Sequence, residues 1–167
     1  YCLGVIYYSC KYIQNDVNIS VKYLQLAANQ NDPNAQYTLG IIYLMEKSIS
    51  NIKLALKYLH YSSENNNRFA QLILGDLYFE GKYLEYDINK AIHYYKEVSS
   101  FNNQYAKNNL GVIYVNYMNN KGMANEYFNE AIKIMKDKLS MYNLANMLLD
   151  DIEQKSANVY GIDYNEP

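Results

Sequence analysis

The sequence predicts an all-α fold, an α-solenoid in which antiparallel helix pairs stack in a row. One helical string with Leu-Gly at its centre appears as AQYTLGIIYL, AQLILGDLYF and AKNNLGVIYV, at 35–44, 70–79 and 106–115. A second string with paired large side chains lies between these copies. The 167 residues include only two prolines, and no segment alternates apolar and polar residues as a half-buried strand would.

The first helix of each repeat is marked by its glycine. The Leu-Gly glycines are 36, 35 and 36 residues apart, and YNLANMLL at 142–149 continues the series with Ala145 in the glycine position. A period of this length is typical of stacked helical repeats. The glycines are Gly4, Gly40, Gly75 and Gly111.

The second helix recurs at 16–28, 51–63, 87–99 and 120–132. Each copy carries a pair of large side chains at the same place, namely Tyr23-Leu24, Tyr58-Leu59, Tyr94-Tyr95 and Tyr127-Phe128. The residue that starts each copy is Asp16, Asn51, Asp87 or Asn120, and short acceptor side chains of this kind cap helix N-termini.

A glycine within a helix costs about 1 kcal/mol relative to alanine, so its recurrence needs a reason. We expect close packing to be that reason, with Gly40 making room for a ring such as Tyr23 or Tyr58. A single helical hairpin cannot bury its apolar stripe alone, whereas stacked copies share one core.

The stretch AQLILGDLYFEGKYLEYDINKAIHYY, at 70–95, resembles the Sel1-like repeat, a relative of the tetratricopeptide repeat. It follows the pattern A-x-x-x-L-G-x-x-Y and then D-x-x-K-A-x-x-Y-Y. The resemblance covers 1–150 and implies a right-handed superhelix with repeats at about 1–34, 35–69, 70–105 and 106–139 and a partial copy at 140–150. The register is lost after Asp151, so we expect an irregular or truncated segment at 151–167.

Composition argues against several classes of function. A net charge of −2 and a pI near 5.7 give no basic surface for nucleic acid, and no apolar run is long enough for direct membrane insertion. Cys2 and Cys10 would lie too far apart on one helix for a disulfide, and His60 and His93 occupy non-equivalent repeat positions without zinc-ligand spacing. We therefore predict no catalytic site, cofactor or metal, and a cytoplasmic protein. The chain starts inside a repeat, which suggests a piece of a longer protein.

The candidate binding residues lie on the first helices. In solenoids of this type these helices line the concave face, and the positions three before, one after and four after the glycine point into it. These residues vary from repeat to repeat, as a surface that binds an extended or helical peptide requires. They are Tyr37, Ile41, Leu44, Leu72, Asp76, Phe79, Asn108, Val112 and Val115. The alternative is that they contact another part of the same chain.

The predicted function is a non-catalytic scaffold or adaptor that binds a protein or peptide along this face. The resemblance implies the same, because Sel1-like repeats generally act as adaptors in multiprotein complexes. The alternative is a regulatory or docking region of a larger enzyme, for example a protein kinase, whose catalytic domain lies outside this segment. RNA binding by a helical repeat code is disfavoured, because such modules need basic residues facing the phosphates.

Overall fold

A computed structural model describes residues 17–46, 48–135 and 138–160 of the chain. Regular structure within these ranges is entirely helical, which confirms the all-α prediction. The predictions for Gly4, Cys2, Cys10 and Asp16 concern positions outside the described residues. The helices are α1 (Val17–Ala28), α2 (Pro33–Glu46), α3 (Ile49–Glu64), α4 (Arg68–Glu80), α5 (Ile88–Ser99), α6 (Gln104–Asn116), α7 (Lys121–Met135) and α8 (Lys138–Tyr160).

First and second helices of the repeats alternate along the chain. The Leu-Gly string and its Ala145 variant lie in α2, α4, α6 and α8, and the second string lies in α1, α3, α5 and α7. The chain divides into two compact units, Tyr1–Glu97 and Val98–Pro167. Within each unit the helices pack against their neighbours in sequence, as in α2 on α3 and α6 on α7.

Three side chains of each first helix form the core. Counted from the glycine, or from Ala145 in α8, they lie at positions −5, −1 and +2, which is one stripe at the helical period. In α2, α4 and α8 this core face packs against the second helix of the preceding repeat, for example Ala35, Leu39 and Ile42 against Leu24 and Ala28. The corresponding residues are Ala70, Leu74 and Leu77 in α4, Ala106, Leu110 and Ile113 in α6, and Ser140, Leu144 and Met147 in α8.

The recurring glycines allow each first helix to approach its own second helix closely. An ideal Cβ on Gly75 would lie 2.9 Å from Tyr95 Cε1, and one on Gly111 would lie 2.4 Å from Phe128 Cε1. At Gly40 the neighbour is Leu59, whose Cγ would lie 2.7 Å from that Cβ. The prediction of a ring opposite Gly40 is therefore wrong, because in these three repeats the second residue of the pair faces the glycine, and here it is Leu59.

In the same three repeats the first residue of the pair stacks on a tyrosine one turn beyond the glycine. The ring centroids are 6.0 Å apart in Tyr43–Tyr58, 5.9 Å in Tyr78–Tyr94 and 5.6 Å in Tyr114–Tyr127, with the planes within 13° of parallel. Burial raises the pKa of the Tyr58 and Tyr94 hydroxyls. These three tyrosine pairs thus join the two helices of a repeat.

Asparagines shape the turns between repeats. Asn31, Asn66 and Asn102 stand at equivalent places and have positive φ angles of 61°, 62° and 59°. Asparagine tolerates this left-handed conformation better than most residues. The next residue then caps the following helix in α4 and α6, where Asn67 and Asn103 accept backbone N–H groups. The Asn-rich loops between repeats therefore form turns of defined backbone geometry.

Two of the predicted second-helix caps are confirmed and one is wrong. Asp87 Oδ1 accepts the N–H groups of Asn89 and Lys90, and Asn120 Oδ1 accepts the N–H of Met123. In α3 the cap is Ser48, whose Oγ accepts the N–H of Asn51. The helix starts at Ile49, before the residue chosen as its cap, because Ser48 offers an equally good acceptor earlier in the chain.

The last described helix is longer than the sequence predicts. α8 runs through to Tyr160, so it includes the first part of the segment 151–167, which the sequence predicts to be irregular or truncated. Residues 161–167 lie outside the described part of the chain.

Candidate protein-binding surfaces

Six of the nine predicted binding residues lie in the first unit. Tyr37, Ile41 and Leu44 are on α2, and Leu72, Asp76 and Phe79 are on α4. All six are partly buried, so each side chain is anchored in the fold and retains some accessible surface. Tyr37 and Leu44 pack against the core cluster of Leu59 and Leu74.

We call these six residues of α2 and α4 the first-helix strip. An exposed phenylalanine extends it. Phe69 in the first turn of α4 is 64% exposed, and its ring contacts Tyr37 with centroids 5.7 Å apart and a 36° tilt. Counted from Gly75, Phe69 lies at position −6, about one helical turn before Leu72 at position −3. The sequence carried a signal for it, since position −6 is also apolar and exposed at Tyr105 and Leu139.

Asp76 carries the only charge among the nine predicted residues. The Tyr95 hydroxyl donates a 2.6 Å hydrogen bond to its Oδ1. The residue thus helps to join α4 to α5 as well as placing a carboxylate on the strip.

Asn108 has a structural position in the second unit. It is 3% exposed, and its Oδ1 accepts hydrogen bonds from Ser140 Oγ at 3.2 Å and Asn143 Nδ2 at 2.9 Å. These bonds join α6 to α8. Asn108 therefore belongs to the packing of the two helices and is the one buried residue among the nine predicted.

Val112 and Val115 line a groove of about 180 Å³ between α6 and α8. Phe128 and Met147 form its apolar floor, since both side chains are almost fully buried. Four polar residues complete the lining, namely Asn116, Asn143, Asn146 and Asp150. Two of the nine predicted residues thus line the α6 side of this groove, and none of the nine lies on its α8 side.

The two histidines each lie against a tyrosine ring, His60 against Tyr78 and His93 against Tyr94. His60 lies edge-on to Tyr78 with centroids 6.5 Å apart, and its burial lowers the pKa of the imidazole. Among the side chains placed by the structure, no three His, Cys, Asp or Glu residues come close enough to hold a metal ion. Within the same ranges, no helix combines the length and the apolar character needed to cross a bilayer.

Several solved structures share this fold at low sequence identity. A protective antigen of uropathogenic Escherichia coli strains with an SLR fold is 24% identical, with a TM-score of 0.77 over 87% of this chain and 32% of that one. A Sel1 repeat protein from Oxalobacter formigenes is 22% identical, with a TM-score of 0.77 over 87% of this chain and 61% of that one. Cysteine rich protein B of Helicobacter pylori is 24% identical, with a TM-score of 0.52 over 78% of this chain and 96% of that one. The chain thus spans about a third and about three fifths of the first two structures.

The sequence itself matches a family model. No curated protein sequence matches the chain significantly. The model described as Sel1 repeat matches three consecutive segments, residues 3–32, 33–67 and 68–97, which together make up more than half of the chain. This chain is therefore a member of the Sel1 repeat family.

Proposed function

We propose that the chain is a non-catalytic adaptor that binds a segment of a partner protein on the first-helix strip, with Tyr37 and Phe69 as its main anchor. Sel1 repeat proteins generally mediate protein–protein interactions and are typically scaffolds without catalytic activity. The strip offers apolar and aromatic side chains on rigid helices. Such a surface suits the apolar side chains of an extended or helical peptide.

The exposure of Phe69 is the observation that carries the proposal. A phenylalanine that is 64% exposed in a folded domain leaves much of its apolar surface in water. Its contact with Tyr37 fixes the ring on the strip, so little conformational freedom is lost when a partner covers it. Large aromatic anchors of this kind commonly supply most of the energy of an interface.

The test compares two phenylalanines. Phe69→Ala removes the anchor, and Phe101→Ala makes the same change at a turn phenylalanine of similar exposure that lies off the strip. Each variant and the unmodified chain are immobilised and incubated with an extract of the native cells, and the captured proteins are identified. Each captured protein is then purified, and its affinity for the three forms of the chain is measured by titration. We expect Phe69→Ala to lower the affinity for a captured partner by about tenfold or more, as loss of an interface hot spot does. Phe101→Ala should leave that affinity nearly unchanged.

Circular dichroism establishes that both variants keep the helical fold. Equal affinity of the Phe69→Ala variant and the unmodified chain for every captured partner would contradict the assignment of this strip. Equal loss in both variants would also contradict it, because the effect would then not be specific to the strip.

A further inference from the structure

The first-helix strip is negatively charged toward the C-terminal end of α4. Asp76 is the single charged residue of the strip, and Glu80, one turn further along the helix, is an exposed carboxylate. Arg68 is the only basic residue of α2 and α4, and it lies in the first turn of α4, about 12 Å of helix rise before Asp76. The partial negative charge at the C-terminus of a helix adds to that of the two carboxylates.

The Asp76 carboxylate is oriented by the core of the repeat. The Tyr95 ring is fully buried, and its hydroxyl donates the 2.6 Å hydrogen bond to Asp76 Oδ1. A carboxylate has about four acceptor sites and accepts hydrogen bonds from several donors at once. Because Asp76 is also partly exposed, a cation of a partner would meet a carboxylate whose orientation is already fixed.

The strip offers few hydrogen-bonding groups to the backbone of a partner. Only Tyr37 and Asp76 carry polar side-chain atoms, and the backbone groups of α2 and α4 are bonded within their helices. An extended segment pressed onto this surface would therefore bury backbone groups without partners, which costs free energy. An α-helix bonds its own backbone groups and avoids that cost. The apolar residues are Ile41, Leu44, Phe69, Leu72 and Phe79.

The spacing of residues on α4 sets the register of such a helix. Phe69, Leu72 and Asp76 follow one another at intervals of three and four residues, so they form one line, with Phe69 and Asp76 about 10 Å apart along the axis. A second helix that packs along this line at a small crossing angle presents side chains at the same intervals. Its residues that contact Phe69 and Asp76 are then seven positions apart.

We propose that the partner segment on the first-helix strip is an amphipathic α-helix with a lysine or arginine seven residues from the apolar side chain that covers Phe69. This inference rests on the proposed function, to which it adds the conformation and the charge of the partner segment. The basic side chain pairs with Asp76, and Glu80 adds to the negative potential that attracts it. The apolar side chains between these two points pack on Leu72 and Tyr37.

Selection from two peptide libraries on phage tests this inference. The first library displays an alanine-rich helix of about five turns, long enough to be helical in water, with one face randomised. The second displays linear random peptides of the same length. Both are selected on the immobilised full chain. We expect the helical library to give the tighter binders, with lysine or arginine enriched seven residues from an aromatic or large aliphatic residue.

Two carboxylates provide the matched variants. Asp76→Asn removes the charge and keeps an acceptor for the Tyr95 hydroxyl, and Glu64→Gln removes the same charge at the end of α3, off the strip. The tightest peptide and a form with its basic residue changed to glutamine are titrated by fluorescence anisotropy. Asp76→Asn should lower the affinity for the basic peptide by about fivefold or more and that for the glutamine form much less, because only the paired charges are coupled. Glu64→Gln should change neither affinity, and circular dichroism checks that both variants fold.

The outcomes separate this inference from the proposed function. Peptides that lose affinity in Phe69→Ala but show no basic preference, or are unaffected by Asp76→Asn, would overturn the inference and leave the proposed function in place. The helix would be refuted if the tightest Phe69-dependent binders came from the linear library and stayed non-helical when bound. If neither library yields a peptide whose affinity falls in Phe69→Ala, the proposed function is contradicted, and this inference with it.

Discussion

Replacing Gly111 by alanine measures how tightly α6 packs on α7. The added Cβ would lie 2.4 Å from Cε1 and 2.6 Å from Cδ1 of Phe128, roughly 1 Å short of an ordinary carbon contact of ~3.5 Å. The Phe128 ring is buried and rigid, so it cannot swing aside as the end of a flexible side chain would. The helices must separate or the ring must leave its rotamer.

The magnitude follows from two opposing effects. Overpacking a core costs about 1–3 kcal/mol, and alanine recovers about 1 kcal/mol of helix propensity relative to glycine. Because the overlap involves the rigid ring at three of its atoms, we expect the upper part of the first range. The net loss in the free energy of unfolding is then about 1–2 kcal/mol.

Gly122 is the matched control. It lies in the first turn of α7 and is exposed, and the nearest atom to its Cβ would be Asn120 Oδ1 at an ordinary 3.5 Å. Gly122→Ala should therefore raise stability by about 0.5–1 kcal/mol through helix propensity alone. Urea unfolding followed by circular dichroism at constant m-value gives both changes. Stabilisation by Gly111→Ala comparable to that of Gly122→Ala would refute the close-packing argument.

Three further changes test separate parts of the fold. Burial of His60 against Tyr78 lowers the pKa of the imidazole below its usual 6.5. The free energy of unfolding should therefore be highest above pH 6.5, where His60 is neutral in both states, and should fall as the pH drops toward the folded-state pKa. Urea midpoints between pH 7 and 5 should show this fall, and His60→Gln should remove the part of it that His60 contributes. Asn103→Ala deletes the cap of α6 and should cost about 1–2 kcal/mol in urea unfolding, whereas Asn103→Asp should retain most of the stability; equal losses would argue against capping. Gly81→Ala should cost about 1–2 kcal/mol because φ is +66° there, and Gly81→Asn should cost less; a gain in thermal midpoint for Gly81→Ala would contradict the left-handed assignment.

The sequence predicts the helix pairs well because the glycine period and the paired large residues both reflect contacts inside one repeat. The sequence-based prediction fails where two nearby residues compete for the same structural role. Asn51 aligns with Asp87 in the repeat, yet Ser48 caps α3, because the helix begins three residues earlier than the alignment predicts and Ser48 Oγ accepts the N–H of Asn51. At Gly40, alignment alone could not show which residue of the Tyr58-Leu59 pair faces the glycine.

The binding residues are harder to predict, because their exposure depends on distant parts of the chain. Asn108 varies between repeats as a surface residue would, but Ser140 and Asn143, more than thirty residues later, bury its amide. Phe69 was missed because the strip was counted from the glycine and stopped at position −3. The first-helix strip continues for one more helical turn, to Phe69. Only the contact between the Phe69 and Tyr37 rings shows that these two residues form one surface.

The stacked tyrosines also make the chain a reporter of its own folding. There is no tryptophan, and three pairs of near-parallel phenol rings at 5.6–6.0 Å join the two helices of successive repeats. Rings held this closely in a chiral arrangement couple their electronic transitions, so near-ultraviolet circular dichroism should respond when a helix pair opens. Replacing one tyrosine of a pair by leucine would silence that pair alone and allow the order in which the repeats unfold to be followed without any attached dye.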